Sequence, residues 1–87
     1  MPPNPAALAR EIAGLLCSGK SDPLGRFEHI DSDDGYRCWR VHDRRLFPGL
    51  SGARLTSTRK AFYSVFEGLL KERGITKQRK GLYCQTG

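Results

Sequence analysis

Apolar residues recur at intervals of three and four near the start of the chain, which predicts an amphipathic helix. Asn4 followed by Pro5 is typical of a helix start, because Asn caps free backbone amides and Pro is preset for the first helical position. Gly19 is a natural stop, and residues 21–25 have the composition of a turn. We expect this helix to be structural. Its apolar face comprises Leu8, Ile12, Leu15 and Leu16.

Short stretches of alternating polar and apolar residues between positions 26 and 47 predict a small antiparallel sheet. Strands are expected over 26–30, 36–41 and 45–47. Residues 32–35, Ser-Asp-Asp-Gly, predict a hairpin turn, because Asp-Gly is one of the strongest hairpin signals. Both faces of the strand 36–41 mix arginine with aromatic or apolar residues, so the sequence leaves open which face is buried.

A wider apolar stripe predicts a second helix that begins at residue 56 or 57, ends at Arg73 and is stopped by Gly74. The stripe is wide enough to cover one face of a three-stranded sheet. Residues 75–87 then form a basic tail, in which the pair 82–83 docks on the domain or forms a last short strand. The stripe consists of Ala61, Phe62, Val65, Phe66, Leu69 and Leu70.

The order helix, strand, strand, strand, helix is that of a small α+β domain with two layers. The prediction is one domain over 1–87, with an antiparallel three-stranded sheet packed on the C-terminal helix. Residues 1–4 are expected to be a flexible start.

The size and composition of the chain exclude several classes of protein. Its 87 residues allow one modest core, too small for an enzyme that buries a large cofactor. No apolar run approaches the roughly 20 residues of a membrane span, and the N-terminus lacks the pattern of a secretory signal. We therefore expect a cytoplasmic protein that does not bind membranes. Cys17, Cys38 and Cys84 are odd in number and widely spaced, which favours reduced thiols.

The charge of the chain is strongly divided between its two parts. Residues 1–36 carry three basic and six acidic residues, whereas residues 37–87 carry twelve basic and three acidic ones. A surface of one sign attracts a partner of the opposite sign, and nucleic acid is the commonest such partner of a basic surface.

Metal binding and catalysis have little support in the sequence. Cys38 and His42 are four residues apart on a predicted strand, about 13 Å, which is too far to bind one ion. A nuclease scheme needs a histidine oriented by a carboxylate, and adjacent residues of a strand, such as His42 and Asp43, point to opposite faces. The prediction is a non-enzymatic protein with no metal and no cofactor.

Basic residues interleaved with aromatic ones are the strongest functional signal. Arginine forks suit phosphates and guanine edges, and Trp39 or Tyr36 could stack on unpaired bases. The start of the second helix and the basic tail would add contacts to the phosphate backbone. The predicted contact residues are Arg37, Trp39, Arg40, Arg44, Arg45, Arg54, Arg59, Lys60, Lys77, Arg79 and Lys80.

Residues 35–41, Gly-Tyr-Arg-Cys-Trp-Arg-Val, followed by a short strand and a long helix, resemble the AP2-type DNA-binding domain and the arm-binding domains of phage integrases. The resemblance spans roughly residues 26–73. It implies a sheet that lies in a DNA groove with a helix behind it. The implied contacts are Arg37, Trp39, Arg40 and Arg44.

The sequence therefore predicts a small nucleic-acid-binding protein, of the kind that phages and other mobile elements encode, with DNA favoured over RNA. The alternative is a small inhibitor or adaptor that binds an acidic surface of a host protein or nucleoprotein complex and blocks its handling of nucleic acid. A small nuclease or toxin that uses His29 or His42 is the third possibility.

Overall fold

Two helices and four strands make up the part of the chain that the structure, a computed structural model, describes: residues 4–32 and 35–86. Positions 33 and 34 of the predicted hairpin turn and positions 1–3 of the predicted flexible start lie outside the described residues. The elements are α1 (Pro5–Cys17), β1 (Phe27–Asp31), β2 (Arg37–Val41), α2 (Gly52–Lys71), β3 (Ile75–Arg79) and β4 (Leu82–Gln85).

Both predicted helices are confirmed, but α2 starts earlier than predicted and ends at Lys71, not at Arg73. Asn4 caps α1 as expected, because its side-chain oxygen accepts a hydrogen bond of 3.1 Å from the backbone N–H of Ala7. The second helix begins at Gly52, before the predicted start at 56 or 57, with Ser51 as the preceding residue. Three side chains of the predicted stripe are fully buried: Phe62, Phe66 and Leu70.

The sheet has four antiparallel strands in the order β1-β2-β4-β3, so the predicted three-stranded sheet is wrong in number and in order. The expected strand 45–47 is a single 3₁₀ turn, Asp43–Arg45, followed by the buried pair Leu46 and Phe47. Two consecutive buried side chains do not fit the alternation of a strand, where neighbours point to opposite faces. The remaining strands come from the segment predicted as a basic tail.

The segment beyond residue 74 is a β-hairpin whose second strand, β4, pairs with β2. Gly81 makes its turn possible with a positive φ of 76°. A Cβ atom at this position would lie 3.2 Å from the carbonyl oxygen of Val41, so the close approach to β2 also favours glycine. Tyr83 on β4 is 1% exposed and anchors the hairpin in the core.

Both helices pack on one face of the sheet. The core joins Phe62 and Phe66 of α2 to Phe27, Trp39 and Tyr83 of the sheet. No helix of the described ranges covers the opposite face, which we call the open face. Neither helix in the described part of the chain is long and apolar enough to cross a membrane.

A disulfide bond joins Cys38 to Cys84, which contradicts the expectation of three reduced thiols. The two residues are direct partners in the β2–β4 register, with their Cα atoms 4.0 Å apart. Their pairing depends on β4, which the sequence leaves open as one of two alternatives for the pair 82–83. Cys17 is a free thiol and is half-buried.

Candidate functional site

One row of side chains crosses the open face from strand to strand. Arg40 on β2 is the register partner of Leu82 on β4, and Leu82 is the partner of Arg79 on β3. The two arginines therefore lie two strands apart, about 10 Å between backbones. Both line one cleft of about 530 Å³. Their guanidinium groups give this cleft two forked donors that suit phosphate.

Apolar and aromatic groups lie beside the arginine row, together with the polar side chains of Ser32, Gln78 and Thr86. The Cys38–Cys84 disulfide forms the next row along the strands, beside Ile30. Tyr36 lies just before β2, lines the same cleft and is 57% exposed, an unusual position for a large aromatic residue. A base could stack on its ring while a phosphate contacts the arginine row.

The basic character of the open face ends at β1. Glu28, the register partner of Arg40, contributes a carboxylate on this side. Its Oε1 lies 3.4 Å from Nε2 of His42. The positive end of the face is therefore the one formed by β2, β4 and β3.

A β-bulge interrupts β3 between Lys77 and Arg79. Lys77 pairs with the buried Tyr83 and lies on the helix side, whereas Arg79 pairs with Leu82 and lines the cleft of the open face. In a regular strand residues two apart share a face, so the extra residue in the bulge sends the two cations to opposite sides.

Three lysines line a second cleft, of about 480 Å³, on the helix side of the hairpin: Lys60, Lys77 and Lys80. We call it the lysine cleft. Two carboxylates also line it, those of Asp43 and Glu67.

Tyrosine hydroxyls engage both carboxylates of the lysine cleft. Tyr63 donates a hydrogen bond to Asp43, and Tyr83 donates one of 2.7 Å to Glu67. Burial of Tyr83 and its bond to Glu67 raise the pKa of that phenol, so it stays a neutral donor. Lys77 Nζ lies 4.0 Å from Oε2 of Glu67.

The predicted contact residues of the first hairpin do not share a surface. Trp39 is 3% exposed, so its indole is part of the core and has no free face for stacking. Arg37 lies above that ring, with its guanidinium carbon 5.5 Å from the ring centroid, on the helix side. Of the contacts that the AP2 resemblance implies, Arg40 lies on the open face, and Arg37 and Trp39 do not.

The other predicted residues are dispersed. Arg45 donates a hydrogen bond of 3.0 Å to the carbonyl oxygen of Gly25, which ties the 3₁₀ turn to the loop before β1. Arg44 is exposed in the same turn. Arg54 is exposed near the start of α2, and Arg59 is half-buried further along that helix.

The sequence interpretation missed the part of the site that β4 provides, above all Leu82 and the disulfide. One signal was present: the β-forming pairs Ile75-Thr76 and Leu82-Tyr83 are separated by the five residues 77–81, which end in Gly81, a hairpin pattern. Within residues 4–32 and 35–86, no group of three or more His, Cys, Asp or Glu side chains is arranged to hold a metal ion.

Comparisons with protein-family models, curated protein sequences and solved structures found no match to this chain.

Proposed function

We propose that the protein binds nucleic acid on the open face of its sheet. The observation that supports this most is the arginine row: Arg40 and Arg79 flank Leu82 on a face that no described helix covers, beside the exposed ring of Tyr36. Phosphate oxygens would contact the two guanidinium groups. A base would lie on Tyr36 and the apolar surface of the disulfide.

The overall charge of the protein supports the same function. Its net charge is +6, and the part after Tyr36 provides all of the excess. Long-range attraction of this kind speeds the encounter with a polyanion and makes binding sensitive to salt. The proposed interface therefore differs from the hairpin surface predicted from the sequence. It combines Arg40 of β2 with Leu82 and Arg79 of the C-terminal hairpin.

Fluorescence anisotropy with labelled oligonucleotides tests the proposal. Because both arginines would contact phosphates, Arg40→Ala and Arg79→Ala should each weaken binding about equally for all base sequences and make the logarithmic salt slope shallower by about 0.7 for each phosphate contact removed. Arg10→Ala removes one positive charge on α1 and is the matched control. Equal affinities for the three variants would refute the open face as the interface.

The second candidate function is that of an inhibitor or adaptor that binds a protein. The apolar content of the open face favours it, because Ile30, Leu82 and the disulfide together resemble the core of a protein interface. Such a partner would bind tightly and stoichiometrically, with an affinity that nucleic acid does not change. Binding to nucleic acid alone with a steep salt dependence would exclude it as the main function.

A further inference from the structure

We propose that the ligand is a single-stranded nucleic acid that crosses the edge strand β3 and contacts both sides of the sheet. The open face would bind one segment of the nucleic acid, and the lysine cleft would bind the next segment. This inference rests on the proposed function, and it adds the class of ligand and its path across the protein.

The bulge in β3 is the first step of the argument. It places Lys77 on the helix side and Arg79 on the open face, although only Gln78 separates them. All three side chains are exposed. β3 is the outer strand of the sheet. A nucleic acid that passes over its free edge would therefore meet a cation on each side of the sheet, from residues that are only two positions apart on β3.

The lysine cleft provides the second contact region. Its three lysines face two carboxylates, and the carboxylates already accept hydrogen bonds from Tyr63 and Tyr83. Only Lys77 comes within 4.0 Å of one of them, Glu67. Among the described residues, neither Lys60 nor Lys80 has a carboxylate within 4.0 Å, so both ammonium groups are available to an external anion.

The geometry favours a single strand over a duplex. A duplex is stiff over about 150 base pairs and cannot fold around the edge of one sheet. A single strand bends freely, and its bases are unpaired, so that one can stack on the exposed Tyr36.

Lys77 and Arg79 could instead protect the free edge of β3 from aggregation. Charged side chains on an outer strand prevent it from pairing with another sheet. That role requires no ligand and predicts no dependence of affinity on oligonucleotide length.

The experiment measures the affinity of the full chain for single-stranded DNA and RNA of about 5 and about 15 nucleotides, within the range of site sizes known for small domains, and for a duplex. Three double variants are compared. The cleft variant is Lys60→Ala/Lys80→Ala, which removes the two lysines that have no carboxylate partner. The open-face variant is Arg40→Ala/Arg79→Ala, and the control is Arg10→Ala/Arg73→Ala, whose side chains line a groove of the helix layer.

The cleft variant should lose at least about fivefold in affinity for the long strand and nothing for the short one, relative to the control. Its salt dependence should also become shallower, by about 0.7 in the logarithmic slope for each phosphate contact removed. The open-face variant should lose affinity for both lengths. Unchanged binding of the long strand by the cleft variant, or a duplex bound as tightly as the long strand, would overturn the inference while leaving the proposed function intact. An open-face variant that binds like the control would instead refute the proposed function itself.

Discussion

Arg26 and Asp22 form a buried ion pair immediately before β1. Arg26 donates from Nε to Oδ2 of Asp22 at 2.8 Å and from Nη2 to Oδ1 at 2.9 Å, and its backbone N–H donates to Oδ2 at 2.6 Å. The Asp22 side chain is fully buried. Nη2 also donates to Glu11 of α1 at 2.9 Å, so this pair connects the first helix to the first strand.

Removal of the negative charge from this pair should destabilise the fold. Asp22→Asn leaves a buried guanidinium without its main partner, which typically costs about 3–5 kcal/mol. The free energy of unfolding in urea measures the loss. Glu11→Gln is the control, because Glu11 is 57% exposed and its pair with Arg26 should contribute less than about 1 kcal/mol. Equal stabilities of the two variants would contradict this role for Asp22.

The same pair should make stability depend on pH at the acidic end. Hydrogen bonds from the Arg26 side chain hold the pKa of Asp22 below its ordinary value of 3.8. A carboxylate whose pKa is lower in the folded state adds stability above its unfolded pKa and loses it as the pH falls through the folded pKa. Unfolding in urea between about pH 6 and about pH 3 should therefore show a steeper loss for the natural protein than for Asp22→Asn. The same dependence of the free energy of unfolding on pH in the two proteins would contradict this role of Asp22.

The disulfide between β2 and β4 gives a prediction that needs no ligand. The oxidised protein should be lighter than the fully reduced chain by two hydrogens, and after denaturation it should have one reactive thiol, that of Cys17. Because the bond closes a loop with a sequence separation of 46 residues, its loss should cost about 4 kcal/mol.

Mass spectrometry and thiol counting test the bond, and unfolding of Cys84→Ser tests its contribution to stability. Cys17→Ser is the matched control, since Cys17 is outside the bond. Three reactive thiols in protein purified without reductant would show that the pair does not form.

The centre of the core lies between α2 and the sheet. Phe66 is fully buried, stacks on Phe62 with centroids 5.0 Å apart and meets the edge of Tyr83 at 5.4 Å. Phe66→Ala should therefore cost about 3–5 kcal/mol in the free energy of unfolding. Leu24→Ala, at a position that is 68% exposed, should change it by less than about 0.5 kcal/mol. A stable Phe66→Ala protein would mean that this ring does not anchor the helix.

The sequence was sufficient for the elements that depend on local pattern. The helical spacing of apolar residues located α1 and α2, and the Asp-Gly dipeptide with aromatic residues after it located β1 and β2. The failure at residues 45–47 came from Leu46 and Phe47, which look like a short strand but are both buried below a 3₁₀ turn.

The candidate site depended on contacts between distant parts of the chain, which local pattern does not reveal. Four of the five residues of β3 have side chains that are exposed or half-buried, so the strand lacks the alternation that would identify it. Without β3 and β4, Arg79 could not be placed beside Arg40, and Cys84 could not be paired with Cys38. The burial of Trp39 likewise follows from the face that the two helices cover, a choice that the strand's own sequence left open.

The most direct test of the central claim is an NMR titration of the protein with a short single-stranded oligonucleotide, and with an unrelated polyanion as control, at two salt concentrations. We predict saturable shifts that are specific to the oligonucleotide and centred on Tyr36, Arg40, Arg79 and Leu82. Weak shifts spread over all basic residues and equal for the polyanion, or shifts centred on Arg37 and the helix side, would contradict binding on the open face.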